Sequence, residues 1–393
     1  MSFTERSFSK LNMKPIKICH FTSVHSSDDA RVFHKMCVSA SKAGYDTYLV
    51  APGKSFISKG IKVIGVGERP ESRVRRMLSF ARNVYAKARE LDADIYHFHD
   101  PELLFYGLKL KRLGKRVIYD CHEDYTRTIL DSQWMPAFLR GIAARIYAFV
   151  EKRVCSKLDA VICVNPHLQA RFLKYGANTL IITNYPIIDD DTEYSEEYAG
   201  NRVLCFAGGI APKWLHENVI SILRDCDAQY LLAGVPSEEY LEKLKSLDGW
   251  QNVIYKGLLP HEEVPALLRE SAVGMALHDY TASMQGNVGT IGVTKLFEYM
   301  LSALPVICTD FTSWKEIIEP EQCGICVNPT NLSEIASAVR YILADPERAA
   351  RMGQNGRRAV LEKYNWQTQE VKLLRLYRAL SEPDMDRDFS QGQ

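Results

Sequence analysis

Ile16-Lys-Ile-Cys-His-Phe21, then Ala30 to Ala43, Gly44 and Thr47-Tyr-Leu-Val50, decide the fold. The first run is short, apolar and strand-like. Along Ala30 to Ala43, the residues Val32, Met36, Ala40 and Ala43 recur at helical spacing, and Gly44 is a natural helix stop. Thr47 to Val50 is a second apolar run. Strand, helix and strand joined by short connections make one unit of a parallel sheet covered by helices.

The same alternation continues outward. Further strands are expected at Ile95 to Phe98, Arg116 to Tyr119 and Ala160 to Val164. Helices are expected near 72–91, 102–113 and 136–157, and Asn165 should cap a helix that stops at Gly176. The rhythm breaks from Tyr185 to Asn201, where Pro186, Asp189-Asp190-Asp191 and the acidic run Glu193 to Glu197 read as a linker. It resumes with Val203 to Ala207, Tyr230 to Ala233, Val253 to Tyr255, Val273 to Leu277 and Pro305 to Cys308. Asn331 with Glu334 forms a capping box. The expected plan is α/β: a Rossmann-like domain over 14–185, a linker over 186–201, a second such domain over 202–365, a helix over 366–381 and a polar tail over 382–393.

At 393 residues, two domains fit the usual 100–200 residues or so per domain. The net charge of +1 gives no global field to recruit nucleic acid or an anionic membrane. The polar stretch Met1 to Met13 has no apolar centre of a secretory leader, and no apolar run reaches membrane-span length. The ten cysteines are scattered, several inside strand-like runs. A cytoplasmic protein with reduced, buried thiols is expected.

Chemistry-bearing residues gather at four places. The first is Gly286-Asn-Val-Gly289-Thr290-Ile-Gly292-Val-Thr294-Lys295-Leu296-Phe-Glu298. Glycines at spacing three precede a helix, so backbone N–H groups and a helix N-terminus can converge on phosphate oxygens. Lys295 stands in the first turn, where the helix dipole disfavours a cation unless an anion lies between. Glu298 falls one turn on, within reach of a ribose diol. A surface loop before a core helix accounts for the same residues. The second place is Phe206-Ala-Gly208-Gly209, followed by Lys213, after the first strand of the second half; a plain strand-to-helix turn is the alternative.

The third place is Tyr96-His97-Phe98-His99-Asp100-Pro101-Glu102, at the carboxyl end of a strand. Alternation sends His97 and His99 to one face, and Asp100 can orient an imidazole; His97 reads as a core residue. The fourth is His122-Glu123-Asp124, opening a long loop at the same edge, with Asp29 and Arg31 in the loop after the first strand. Asp29 also suits a helix cap. No second cluster of matching spacing accompanies His122, so no metal is expected. Asp-x-Asp triplets at Asp92, Asp225 and Asp384 do not end strands. Cys323-Gly-Ile-Cys326 lacks a second pair and runs into Val327-Asn-Pro, so it reads as structural.

Together these residues resemble the family 4 retaining glycosyltransferases (glycosyl transferases group 1), of GT-B architecture, and within them the branch of bacterial surface-polysaccharide assembly. The resemblance covers nearly the whole chain. It rests on Thr22-Ser-Val-His25 with Asp29 and Arg31, on His97-Phe-His99-Asp100-Pro-Glu-Leu-Leu104 and on Tyr119-Asp-Cys-His122-Glu-Asp124. In the second half it rests on Gly208-Gly209, Thr294-Lys-Leu-Phe-Glu-Tyr-Met300, Leu304-Pro-Val306 and Tyr364-Asn-Trp366.

The resemblance implies two facing Rossmann-like domains, with the last helix crossing back to the first. It implies that Glu298 is the second glutamate of the family's pair and holds the donor ribose, and that His99 reaches toward the donor sugar. It implies catalytic roles for His99 and Asp100. Donor binding would fall to Gly208, Gly209, Lys213, Gly289, Thr290, Thr294, Lys295, Leu296 and Glu298, and the acceptor side to Asp29, Arg31, His122 and Glu123. Two departures stand out. Thr290 occupies the place of the first glutamate, and Gly209 the place of an arginine, with Lys213 slightly off the partner position.

The expected reaction moves a sugar from a UDP- or GDP-sugar to a glycan or polyprenyl-linked acceptor. Retention is what the resemblance implies; no metal or cofactor is expected, because N–H groups and lysines can stabilise the departing diphosphate. A sugar-nucleotide epimerase on the same double fold, or a non-catalytic sugar-nucleotide-binding subunit, are the rival readings. The stretch Ser72 to Leu91 carries Arg73, Arg75, Arg76, Arg82, Lys87 and Arg89 opposite Val74, Met77, Leu78, Ala81, Tyr85 and Ala88. It is a candidate for peripheral contact with an anionic membrane at the inner face of the plasma membrane, or simply a sheet-covering helix.

Overall fold

The protein is described here by a computed structural model over residues 15–72, 75–132, 135–188 and 200–382, with His261 by its backbone alone. Met1 to Met13, Arg73, Val74, the acidic residues from Asp189 to Glu197, Asp384 and the tail from Pro383 lie outside these residues. Packing divides the chain into two units, each α/β.

The first unit takes residues up to His122, Tyr147–Ile181 and the chain from Glu370. Its strands are β1 (Lys17–Phe21), β2 (Asp46–Ala51), β3 (Phe56–Ser58), β4 (Ile61–Gly65), β5 (Ile95–Phe98), β6 (Arg116–Cys121), β7 (Ala160–Cys163) and β8 (Thr179–Ile181). They pair in the order β3-β4-β2-β1-β5-β6-β7-β8. All pairs are parallel except β3 with β4. The central strands are apolar along their length because helices cover both faces, the usual pattern of a parallel sheet.

The second unit takes Glu123–Ile146 and Ile182–Gln369. Its strands are β9 (Val203–Ala207), β10 (Gln229–Ala233), β11 (Val253–Gly257), β12 (Val273–Ala276), β13 (Val306–Thr309) and β14 (Gly324–Val327). The order is β11-β10-β9-β12-β13-β14, parallel throughout. Trp314, Tyr230, Tyr299, Phe206, Phe297 and Phe311 fill its core.

The structure adds strands that period and length could not reveal. Phe56–Ser58 and Thr179–Ile181 are three residues each, and β14 is the Cys323-Gly-Ile-Cys326 segment itself. There Cys326 pairs in register with Cys308, their sulfurs 3.6 Å apart. The ten cysteines are free and all but Cys326 are buried. Packing also groups Glu123–Ile146 with the second unit, outside the consecutive spans read from the linker; of the last helix, Trp366–Ser381, the residues to Gln369 group with the second unit and those from Glu370 with the first. In the second unit the Trp366 amide donates to the Pro186 carbonyl at 2.7 Å.

Both sheets reverse their strand order beside the first strand of the unit. β1 lies between β2 and β5, and β9 lies between β10 and β12. Chains leave such a strand pair in opposite directions, opening a crevice at the carboxyl edge where ligands of α/β folds bind.

Candidate active site

In the first unit, His20 of β1 is in register with His97 of β5, and Asp120 ends β6. Period-two alternation brings His20, His97, His99, Asp120 and His122 to one face at the carboxyl edge. The hub is Asp120, fully buried. Arg31 donates Nε and Nη2 to its two oxygens, each at 2.8 Å. His122 Nε2 lies 2.8 Å and His99 Nδ1 3.2 Å from Oδ2. Burial opposes the Asp120 charge, but Arg31 and His122 outweigh it and hold the carboxyl well below the usual range. Arg31 reaches this point because Asp29 caps the helix Ala30–Cys37, accepting the Arg31 and Val32 amides at 2.9 and 2.8 Å.

Asp100 does different work from that expected. Its Oδ2 accepts the Thr22 hydroxyl at 2.8 Å and the Ser23 amide at 2.6 Å, so it staples the turn after β1. The imidazole it approaches is His25, at 3.6 Å, while the carboxylate on His99 is Asp120. His25 is bonded to Asp29 at 3.1 Å and packs its ring on His122 at 4.7 Å. Burial works against the His25 cation, yet Asp29, Asp100 and Asp120 carry its pKa up. Glu123 is exposed and groups with the second unit.

Asp120, His20 and Tyr377 were not among the residues picked out by sequence. Asp120 had a signal, since it stands two residues before His122 on the same face, just past the expected strand end. Tyr377 had none: it lies 280 residues from His97, yet its hydroxyl is 2.9 Å from His97 Nδ1 and 3.1 Å from His20 Nε2.

Two groups here have metal-ligand chemistry: His20 with His97 and His99, and His99 with Asp120 and His122. Neither fits an ion as the residues stand. Both Asp120 oxygens are engaged by a guanidinium, which would repel a cation, and in the first group His20 and His99 spend lone pairs on O–H···N and N–H···N bonds, leaving that of His97 Nε2.

In the second unit, Gly208 follows β9 with φ +142. A side chain there would run into the ammonium of Lys295. Lys295 enters from the first turn of the helix Thr294–Leu301, which no side chain caps. Its Nζ lies 5.1 Å from the Phe206 ring centre and 5.4 Å from that of Trp214. Among the described residues it has no hydrogen bond and no ion pair. Burial lowers its pKa, Glu298 opposing and Lys213 adding to the effect. Glu298 also makes no side-chain hydrogen bond or ion pair among the described residues. Lys213 is exposed, and its carbonyl accepts the Asp279 amide at 2.8 Å, tying the loop after β9 to the loop after β12.

The remaining glycine-loop residues shape this site. Gly289, at φ +80, fits only without a side chain against Phe311. Thr290 accepts the Gly292 amide at 3.3 Å and the Trp314 indole N–H at 2.8 Å, fastening the loop to the helix Thr312–Glu321. Thr294 opens its helix and Leu296 anchors it in the core. Gly209 has open space around it.

Comparison with known proteins places the chain in a family. Residues 30–192 match the Glycosyltransferase Family 4 model and residues 188–359 match Glycosyl transferases group 1. An MMP α-(1→4)-mannosyltransferase of Mycolicibacterium hassiacum is 24% identical, over 74% of this chain and 71% of its own. A GDP-mannose-dependent α-(1-6)-phosphatidylinositol monomannoside mannosyltransferase of Mycolicibacterium smegmatis is 26% identical, over 57% of this chain and 63% of its own. The structure of HepE from Anabaena, in complex with UDP and glucose, aligns with TM-score 0.67 and 16% identity, covering 92% of this chain and 99% of that one. The architecture is therefore GT-B. The chain belongs to the family 4 glycosyltransferases and is a glycosyltransferase.

Proposed function

We propose that this enzyme transfers a sugar from a UDP- or GDP-sugar to a glycan or lipid-linked glycan, with retention of configuration and without a metal. One observation carries the reading: Lys295 is a partly buried cation held between Phe206 and Trp214, against the Gly208 backbone, with no anion paired to it. An uncompensated charge in such a place is costly unless a ligand completes it. A nucleoside diphosphate does so, with the uncapped helix N-terminus and Lys213 beside it. In the reaction these groups stabilise charge growing on the departing diphosphate. Glu298, three residues from Lys295 on the same helix, accepts the ribose hydroxyls. The named relatives, one GDP-mannose-dependent and one bound to UDP, support this donor class.

The acceptor side is the cluster around Asp120, with His122 as the imidazole offered to a hydroxyl. The binding-subunit reading keeps one support, Thr290 in place of a glutamate. Peripheral membrane contact is proposed for the face carrying Arg75, Arg82 and Arg89. The other face of that helix buries Ala81, Val84 and Ala88, and Arg76 is already paired with Glu102 at 2.8 Å. No described helix is long and apolar enough to cross a membrane. Sedimentation with anionic against neutral liposomes tests this contact, and equal negligible binding at low salt would discard it.

A panel of UDP- and GDP-sugars scored by thermal shift, with release of free nucleotide measured for each that binds, tests the main reading. Binding with turnover supports an enzyme. Binding without release of nucleotide in the presence of glycan acceptors would leave only the binding subunit.

A further inference from the structure

The hydrogen bonds around His20 join into one chain. His97 Nδ1 is 2.9 Å from the Tyr377 hydroxyl, that hydroxyl is 3.1 Å from His20 Nε2, and His20 Nδ1 is 3.1 Å from His99 Nε2. His99 Nδ1 is 3.2 Å from Asp120. All five side chains are fully buried. A carboxylate only accepts, and a neutral imidazole has one donor and one acceptor nitrogen. His122 Nε2 is 3.4 Å from His99 Nδ1 but 2.8 Å from Asp120 Oδ2, so its N–H is assigned to the carboxylate, and with His99 Nδ1 also donating there every proton of the chain follows. His99 donates from Nδ1, so its Nε2 accepts from His20 Nδ1–H. His20 Nε2 then accepts the Tyr377 O–H, and the Tyr377 oxygen accepts from His97 Nδ1–H. The acceptor nitrogen left over is His97 Nε2, the buried imidazole nitrogen of this chain that has no partner among the described residues.

We infer that His20 and Tyr377 are positioning residues, a one-way relay that locks His99 as an Nδ1–H donor to Asp120 and leaves His122 as the imidazole free to meet a substrate hydroxyl. In this network both His99 nitrogens are bonded within the protein. His122 differs. Its Nε2–H is held by Asp120 at 2.8 Å, its side chain is 13% exposed, and its Nδ1 has no partner among the described residues. Nδ1 then carries a lone pair that can accept a hydroxyl proton's hydrogen bond, with the Asp120 carboxylate behind it, as in other carboxylate-held imidazoles. The donors already on Asp120 explain why His99 must not flip: an Nε2–H tautomer would point a lone pair at the carboxylate and an N–H at the N–H of His20.

This assignment rests on the proposed acceptor role only for what His122 meets; the tautomers stand or fall alone. The first arm is 15N NMR of the full chain labelled at histidine. His20, His97 and His99 should show the Nδ1–H tautomer, which free histidine disfavours, and His122 the Nε2–H form. Nε2–H or averaged signals from His20 or His99 would overturn the relay. The second arm is Tyr377→Phe, which removes the hydroxyl and keeps the ring. His20 should lose its single tautomer while the variant remains folded. A role confined to packing would lower the melting temperature and leave the tautomers unchanged, which would also overturn it. The third arm is release of UDP from UDP-glucose, or of GDP from GDP-mannose, whichever binds. Tyr377→Phe should lower kcat about tenfold, the size of one misplaced hydrogen bond, with donor KM unchanged. Unchanged kcat would refute positioning. Absence of any nucleotide-sugar binding would instead count against the glycosyltransfer reading, and the first two arms would still decide the relay.

Discussion

The carboxyl edges of the two sheets solve opposite problems. At the first, the charges are matched within the protein: Asp120 holds Arg31, His99 and His122, and Asp100 holds the turn after β1. At the second, charge is left over: Lys295 and Glu298 share a helix, neither in an ion pair among the described residues. A network whose charges are matched within the protein fixes geometry before a substrate arrives. An open one creates affinity, because the ligand supplies what is missing. An acceptor hydroxyl needs orientation more than charge, whereas a diphosphate needs charge. The two edges differ in the way the proposed ligands would require.

Breaking the closed network should have the largest effect. Arg31→Leu leaves Asp120 as a buried carboxylate without its guanidinium, which costs about 3–5 kcal/mol in comparable buried pairs. Urea unfolding should show this loss, and a change under about 1 kcal/mol would mean the pair is not a structural hub. The open site should respond in binding instead. Lys295→Met and Glu298→Ala should each weaken donor binding by about 1.5–3 kcal/mol while the melting temperature holds. A Lys295→Met protein that binds the donor as well as wild type would remove the basis of the proposed function.

The pH responses should also separate. Burial keeps His20, His97 and His99 neutral in the fold, with pKa values below the ordinary 6.5. Below that value the unfolded chain binds protons that the folded unit refuses, so stability falls as pH drops from about 6.5. Each histidine contributes a slope of about 1.4 kcal/mol per pH unit. His25 has the opposite sign: its raised pKa adds stability below 6.5 that is lost as pH climbs through its folded value. Burial lowers His216 and His278 of the second unit as well, so the lowered histidines outnumber His25 and chemical denaturation should show a net acid loss; a flat profile between about pH 7 and pH 5 would contradict neutral buried imidazoles. At Lys295 a lowered pKa means the cation is lost below the ordinary 10.5. Donor affinity should therefore decline on the alkaline side before an ordinary lysine would titrate, and titration calorimetry across that range would show it. The smallest effect is expected from EDTA: nucleotide release should proceed unchanged, and full loss restored by Mg²⁺ or Mn²⁺ would refute metal independence.

Much of this was present in the chain itself. Strand and helix periods gave both parallel sheets, because apolar spacing has to match the layer it packs on. Half of the proposed donor site, Gly286 to Glu298, is one continuous stretch, so local geometry announced the loop, the helix start and the lysine in its first turn, whereas the approach of Phe206, Gly208 and Trp214 to that lysine is long-range. His99 and His122 were visible as polar groups at strand ends. What the sequence could not decide was pairing. It offered Asp100 to orient an imidazole without saying which; the sheet brings Asp120 to His99, because parallel pairing of β5 with β6 sets facing residues side by side, while Asp100 points back to Thr22 and Ser23 and approaches His25. Three-residue strands carry too few side chains to show a period. The division of the chain, with Glu123–Ile146 in the second unit and Tyr377 in the first, comes from long-range burial. Local propensity extends over a few residues, whereas a hydrogen bond between His97 and Tyr377 exists only once two distant segments are packed together and dehydrated.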